Sequence, residues 1–410
     1  MSDTQPPGPL AGYLVVDLTR ALAGPHAGMM LADLGARVVK VETPGVGDDT
    51  RGWGPPFVGP EDDPISTYYL SCNRDKESVT ADLKSDEGRR LLESLIGRAD
   101  VLLENFRPGV LDRLGFSLTR MEELNPRLVV LSITGFGHDG PEAGRAGYDQ
   151  IAQGEAGLMS MTGPPGEPTR VGLPIGDLLA GMYGAFGVLA ALLERARTGR
   201  GTAVRTSLLA AIVGVHAFQG TRWTVAREVP EGPGNHHPSI APYGLFHAAD
   251  SPIQVAVGSE SQWRAFAPVV GLDPADPRFA TNRARVAHRP ELLAAIDAVL
   301  VTAPAADWLS RLDEIGVPAG RVRTLDQVYE WDQTRSQGLL IAVDHPVLGR
   351  IELPGPPLRF GNRPYAGGRA THAPPPALGE HDESVRAWLA EPTAQDPTAE
   401  DPTAEDRAAP

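Results

Sequence analysis

The thirty residues "YLVVDLTRALAGPHAGMMLADLGARVVKVE", 13–42, decide the fold. "YLVVDL" is a short run of apolar residues ending in an acid, and "RVVKVE" is another. Between them, "AGPHAGMMLAD" has the spacing of a helix, with Gly35 just past it where a helix stops. Strand, helix and strand in thirty residues make a βαβ unit, which requires a parallel pair. Two more apolar runs follow, "ADVLLENF" at 99–106 and "LVVLSITGFG" at 128–137. The helical patterns "SDEGRRLLESLIGR" and "SLTRMEELN" lie between them. These strands are apolar throughout rather than alternating, so both faces of the sheet are covered. Such sheets bind ligands beyond the carboxyl ends of their strands. The polar ends "DLTRALAG", "VETPG", "ENFRPG" and "TGFGHDG" therefore belong to one crevice.

Farther along, "GLPIGDLLAGMYGAFGVLAALLERARTGRG" (172–201) reads as a long apolar helix with Asp177 near its start. An Asp just before a helix caps it by accepting backbone N–H bonds and suits the positive end of the dipole. Gly181, Gly184 and Gly187 interrupt the apolar stretch 178–193. It is also short of the roughly 20 residues a membrane span needs. A buried helix in a soluble protein fits better. "TAVRTSLLAAIVGVHAF" continues as a strand running into a helix.

The remainder organises as follows. Residues 1–218 form a large Rossmann-like domain and 219–234 a linker. A smaller α+β domain occupies 235–331, and residues 332–390 are a return linker ending in a helix that packs on the large domain. Residues 391–410, with the repeat "DPTAEDPTAED", are an acidic tail expected to be disordered.

The net charge of the 410 residues is −15, and no basic cluster stands out, which argues against nucleic acid. Cys72 is the single cysteine, so no internal disulfide can form, as suits a reducing cytoplasm; a buried small side chain is the expected role. "MSDTQPPGPLAG" is polar and Pro-rich, unlike a secretion signal. His236 and His237 are adjacent in "EGPGNHHPSIAPYG", which reads as an ordered loop rather than a metal site, and no metal is expected. Arg107 and Arg113, just after a strand, suit phosphate or solvent. A nicotinamide-dependent oxidoreductase is one alternative, since Glu42 ends the second strand where a ribose-binding acid sits. The turn "DLTRALAGPHAG" lacks the G-x-G-x-x-G that admits a pyrophosphate.

The chain resembles the class III CoA-transferases, the group that includes formyl-CoA and carnitine CoA-transferases, with the 2-methylacyl-CoA racemases as relatives. The segments that carry the resemblance are "DLTRALAGPHAGMMLADLGARVVKVE", "NRDKESVTADLKSDEGRRLLESLIGRADVLLENFRPGVLDRLG", "LNPRLVVLSITGFG", "GYDQIAQGEAGLMSMTG", "GDLLAGMYGAFGVLAALLERARTGRG" and "LGEHDESV", in that order over roughly residues 10–385. It implies an α/β fold, a Rossmann-like domain with a parallel sheet plus a smaller α+β domain, in an interlocked homodimer.

The resemblance also implies that Asp177 is the catalytic carboxylate. Leu22 and Ala23 would lie beside the thiol arm of CoA. Ala81, Asp82, Leu83 and Lys84 would flank its adenine and ribose. Asn105, Phe106, Arg107 and Arg113 would hold the nucleotide end, and Tyr148 and Asp149 would border the reacting carbonyl. CoA thioesters and small carboxylic acids would be substrates, with no permanently bound cofactor and no membrane partner. Formyl-CoA transferase has Gln at the position of Leu22 and Arg at that of Thr43, and its glycine run has no counterpart here. Those departures weigh against formate and oxalate; "GNHHPSIAPY" is closer to members acting on succinyl-CoA and other dicarboxylates. A racemase of the same superfamily is the other alternative, but the racemases carry His at the position of Tyr148. A phenol of pKa near 10 is a poor base at neutral pH.

Overall fold

The computed structural model describes residues 8–392, so the tail read at 391–410 lies, from residue 393 on, outside the described residues. Their contacts gather into two units. One holds residues up to Ala152, Pro174–Val215 and the segment from Gln333. The other holds Gln153–Leu173 and His216–Asp332. This division differs from the sequence reading chiefly in placing Gln153–Leu173 with the second unit.

In the first unit, six strands form one parallel sheet: β1 Leu14–Asp17, β2 Arg37–Glu42, β3 Lys76–Thr80, β4 Val101–Glu104, β5 Val129–Thr134 and β6 Ala203–Ser207. Their order is β3-β2-β1-β4-β5-β6. This is the doubly wound order, and the strand order reverses between β1 and β4, where such sheets bind ligands. β1, β4 and β5 are buried along their whole length, as the unbroken apolar runs require.

Helix α1 (Ala23–Asp33) connects β1 to β2, and Gly35 ends the connection at φ 106°, a left-handed backbone that glycine adopts without penalty. Helix α2 (Asp86–Arg98) is capped by Ser85 Oγ, which accepts from Gly88 N at 3.0 Å. Its apolar face, Leu91, Leu92, Leu95 and Ile96, packs with Val16, Val39, Val79 and Leu102 of the sheet. The long helix α3 spans Ile175–Thr198, longer than the sequence reading of its apolar stretch. By length and apolarity it could cross a membrane. Its glycines have a packing reason. A Cβ on Gly181 would meet Ala23 O at 2.6 Å, on Gly184 Leu131 at 2.7 Å and on Gly187 Val204 at 2.6 Å. The glycine face is what lets α3 approach α1 and the sheet.

The returning chain is anchored by side chains. Arg369 donates to Ala32 O and Ala36 O at 2.6 Å each, and His372 Nδ1 lies 2.5 Å from Asp75. Asp382 accepts from Thr80 N at 2.6 Å, and Val385 enters the core beside α2.

The second unit holds a three-stranded antiparallel sheet (Tyr243–His247, Pro252–Ala256, Ala319–Arg321). Its own core includes Phe246, Trp263, Phe266 and Trp308. Here His237 lies between Phe218 and Tyr243, at centroid distances of 5.5 and 5.2 Å, and His236 sits edge-on to Phe246. The pair is part of an aromatic loop core, and no metal-type cluster of described residues includes either.

Candidate active site

Asp177 is not the cap that its position suggests. Helix α3 begins at Ile175 behind Pro174, which lacks a capping side chain, and Asp177 is its third residue. The cap comes from another segment. Asp149 Oδ1 accepts from Gly176 N at 2.7 Å and from Asp177 N at 3.4 Å. The orphan amides of the first turn are therefore served by Asp149. The half-buried Asp177 carboxylate receives no hydrogen bond from any described residue.

Two effects act on that carboxylate. Burial disfavours its charge, and the Asp149 carboxylate repels it; together they push its pKa up to about 7. A carboxylate that is partly desolvated, unbonded and poised near neutrality can accept a proton or attack an electrophile. Tyr68 faces it. Burial first, then the Asp177 charge, push the Tyr68 phenol up to about 12, so it stays a hydrogen-bond donor at neutral pH.

Around the pair is a small apolar cluster: Leu22, Met29, Cys72, Tyr68 and Leu178. Leu22 immediately precedes α1, so the turn after β1 and the first turn of α3 share one apolar cluster. Cys72 is buried, and burial pushes its thiol pKa up, which makes it a poor nucleophile. Across the point where the strand order reverses, Asn105 closes a two-way bridge: its Oδ1 accepts from Arg20 N at 3.0 Å and its Nδ2 donates to Arg20 O at 2.7 Å.

The other residues named from sequence are more dispersed. Ala81–Lys84 follow β3 at the sheet edge, two strands from β1, which is about 10 Å by strand spacing. Ala81 is buried, while Asp82 and Lys84 are exposed. Phe106 and Arg107 line a cavity of about 200 Å³ with Glu104, Ser132 and His138. Arg107 and Arg113 are both exposed, beside the one-turn helix Val110–Arg113. Tyr148 is 68% exposed, next to the buried Asp149. Glu42, the ribose-type acid of the oxidoreductase alternative, is committed elsewhere: it accepts from Arg51 at 2.7 and 2.8 Å and from Ser78 Oγ at 2.6 Å.

Tyr68 and the capping role of Asp149 escaped the sequence reading. An aromatic pair in "STYYLSCN" carries no motif, and a cap supplied from 27 residues away leaves no local spacing to detect.

The fold and this site define a class: a Rossmann-like α/β protein with an unpaired carboxylate beside the ligand-binding end of its sheet. The chain belongs to CoA-transferase family III, whose family model matches residues 10–382. It is 37% identical over 387 residues to the succinyl-CoA:glutarate CoA-transferase of Mus musculus, an alignment covering 94% of this chain and 87% of that protein. It is 38% identical over 397 residues to the acetyl-CoA:oxalate CoA-transferase of Acetobacter aceti, covering 95% and 98%. Its fold is similar to the crystal structure of a CAIB/BAIF family protein from Brucella suis. That match has a TM-score of 0.83 at 40% identity, over 94% of this chain and 100% of the other. The chain is thus a CoA-transferase, and CoA thioesters and carboxylic acids are the substrates of that activity.

Proposed function

We propose that the enzyme transfers CoA by covalent catalysis at Asp177, with succinyl-CoA or another dicarboxylyl-CoA as donor and a small carboxylic acid as acceptor. One Asp177 oxygen attacks the thioester carbonyl, the C–S bond breaks, and CoA leaves as thiolate with an acyl–aspartyl anhydride behind it. The thiolate then attacks the aspartyl carbonyl, forming an aspartyl–CoA thioester and releasing the first acid as carboxylate. The acceptor carboxylate displaces the thiolate to give a second anhydride. Thiolate attack on its acyl carbon yields the new acyl-CoA and restores Asp177. Covalent catalysis splits one exchange into steps of similar energy.

The observation that carries this reading is the unbonded Asp177 carboxylate, freed from capping by Asp149. Tyr68, a protonated phenol at neutral pH, would donate to the carbonyl oxygen as negative charge gathers there. Leu22 and Ala23 would flank the thiol arm, Ala81–Lys84 the adenosine, Asn105–Arg107 and Arg113 the nucleotide phosphates, and Tyr148 the reacting carbonyl. The dicarboxylyl donor is favoured by the likeness to the succinyl-CoA-dependent relative.

The test is incubation with succinyl-CoA and no acceptor, followed by peptide mass analysis. A CoA adduct on the peptide containing Asp177, convertible to a hydroxamate by hydroxylamine, is expected. An unloaded Asp177 in an enzyme that turns over would overturn the covalent route. A screen with succinate, glutarate, oxalate and formate as acceptors settles the acid.

Self-association as a homodimer is part of this proposal. Helix α3 presents Met182, Tyr183, Phe186 and Leu193 to solvent, the last two at 70% and 72% exposure. An apolar stripe of that kind marks an interaction face. Sedimentation at micromolar concentration should give twice the chain mass of 43.5 kDa; a monomer would sink it.

A further inference from the structure

One group of buried charges has no part in the transfer chemistry. Beneath the turn that follows β1 lie Asp17, Lys40, Asp48 and Lys76, all buried. Lys76 Nζ pairs with Asp17 Oδ2 at 2.9 Å, and Lys40 Nζ with Asp48 Oδ2 at 2.8 Å, every side chain closed to solvent.

The second pair grips the backbone of the turn on both sides of one residue. Lys40 donates to Thr19 O at 2.7 Å. Asp48 Oδ1 accepts from Ala21 N at 3.2 Å, and from Thr50 N and Oγ1 at 2.9 and 2.8 Å. Ala21 itself sits at φ 65°, a left-handed conformation that a Cβ disfavours. Such a residue persists only where its surroundings over-determine it; here Lys40 and Asp48 bond the backbone on either side, and Asn105 bonds Arg20. The residue after Ala21 is Leu22, whose side chain packs with Tyr68 and Leu178 beside Asp177. The turn is tight as well: a Cβ on Gly24 would lie 2.3 Å from the Thr19 side chain.

A buried ion pair is a poor way to gain stability, since apolar residues of similar volume often do as well. Its value lies in directed bonds that apolar groups cannot make. We propose that the buried Lys40–Asp48 pair is a positioning device that holds Ala21 left-handed and so sets Leu22 and Ala23 for the arm of acyl-CoA. The inference rests on the reading of Leu22 and Ala23 as thioester-arm residues.

Three variants test it. Lys40→Met with Asp48→Leu removes charge and acceptor together. Lys40→Met with Asp48→Asn removes the charge and keeps the acceptor for Ala21 N. Ala21→Val leaves the pair intact but puts a β-branched residue where φ is positive. For each variant, melting temperature, KM for succinyl-CoA, KM for the acceptor acid and kcat are measured.

Met/Leu and Ala21→Val should raise KM for succinyl-CoA about ten-fold, the factor belonging to 1.4 kcal/mol, with acceptor KM unchanged. Met/Asn keeps the acceptor for Ala21 N but lacks the Lys40 donor to Thr19 O, so it should recover only part of that loss, and only in KM for succinyl-CoA; a merely structural role would move both KM values alike. Folded Met/Leu and Ala21→Val proteins with unchanged succinyl-CoA KM, or with both KM values raised alike, would overturn the proposal. If Met/Leu fails to fold, Ala21→Val decides alone. CoA loading at saturating succinyl-CoA reports separately on Asp177. Its absence in the unaltered enzyme would break the covalent reading and leave the KM comparison standing.

Discussion

Asp17 and Asp177 are two aspartates in the same unit, one fully buried and one half-buried, and the protein drives them in opposite directions. Burial alone would raise both. At the end of β1, the Lys76 and Lys40 ammonium groups and the Thr19 hydroxyl outweigh burial and hold Asp17 down to about 2. In the first turn of α3, burial goes uncompensated, Asp149 adds repulsion, and Asp177 rises to about 7. Burial does not decide what a carboxylate is for; its partners do. The paired acid is fixed and charged, and the unpaired one is kept costly and reactive.

The largest expected effect breaks that contrast at its reactive end. Asp177→Asn keeps the size of the side chain and removes the anionic nucleophile, so transfer should fall by about three orders of magnitude or more. The helix should survive, because Asp149 provides the cap. The raised pKa means that folding strains the charged form. That penalty is absent below the unfolded-state pKa and complete above about 7. Asp177→Asn should therefore melt above the unaltered protein at pH 8 and lose that advantage toward pH 4. A variant that is less stable at pH 8 would make Asp177 structural after all.

At the paired end, Asp17→Asn should leave Lys76 and Lys40 buried with too little negative charge. Breaking such a pair costs about 3–5 kcal/mol, read as a lower melting temperature and denaturation midpoint. The sign with pH is opposite to that of Asp177. A depressed carboxyl contributes stability above its unfolded pKa, and that contribution is lost as pH falls through about 2. An unchanged midpoint at pH 7 would show the network to be dispensable.

Arg107→Ala and Arg113→Ala sharpen the comparison from outside both sites. Both residues are exposed and distant from the reacting carboxylate in sequence and element. Contacts to CoA phosphates would add uniform binding, so KM for the thioester should rise about three- to ten-fold with kcat nearly constant. A collapse of kcat at constant KM would assign them to the chemistry.

Most of the sheet was legible because its central strands bury both faces, as "YLVVDL", "RVVKVE", "VLLE" and "VVLSIT" do; the edge strand Lys76–Thr80 was not read, since "KESVT" is polar and carries no apolar run. The second unit's Gln153–Leu173 was not legible, since a segment that leaves one unit for another carries no periodicity to say so. Asp177 was visible as the one acid near the start of an apolar helix, but its role as cap was misjudged. Helix spacing specifies an N-terminus only locally, and nothing in "GYDQ" announces that Asp149 will bond Gly176. The Lys40–Asp48 pair was equally silent, because nothing in "VVKVE" says that Lys40 turns inward to a partner eight residues on.

The smallest effect probes how the Asp177 contrast is set. Asp149→Asn keeps an acceptor oxygen for Gly176 N and Asp177 N, so the cap and the start of α3 persist. It removes the negative charge, the lesser of the two causes that raise Asp177; burial remains. The Asp177 pKa should fall, but only part of the way to its ordinary value. Acylation requires the carboxylate, so the unaltered enzyme should lose activity as pH drops through about 7, and the variant should lose it at lower pH. The displacement should be under about one pH unit, since one unit already corresponds to 1.36 kcal/mol of differential interaction. At pH 6 the variant would then load CoA faster than the unaltered enzyme, while at pH 8 the two would match. A profile that moves to higher pH, or that does not move while loading still occurs, would mean that Asp149 acts on Asp177 through the helix start rather than through its charge.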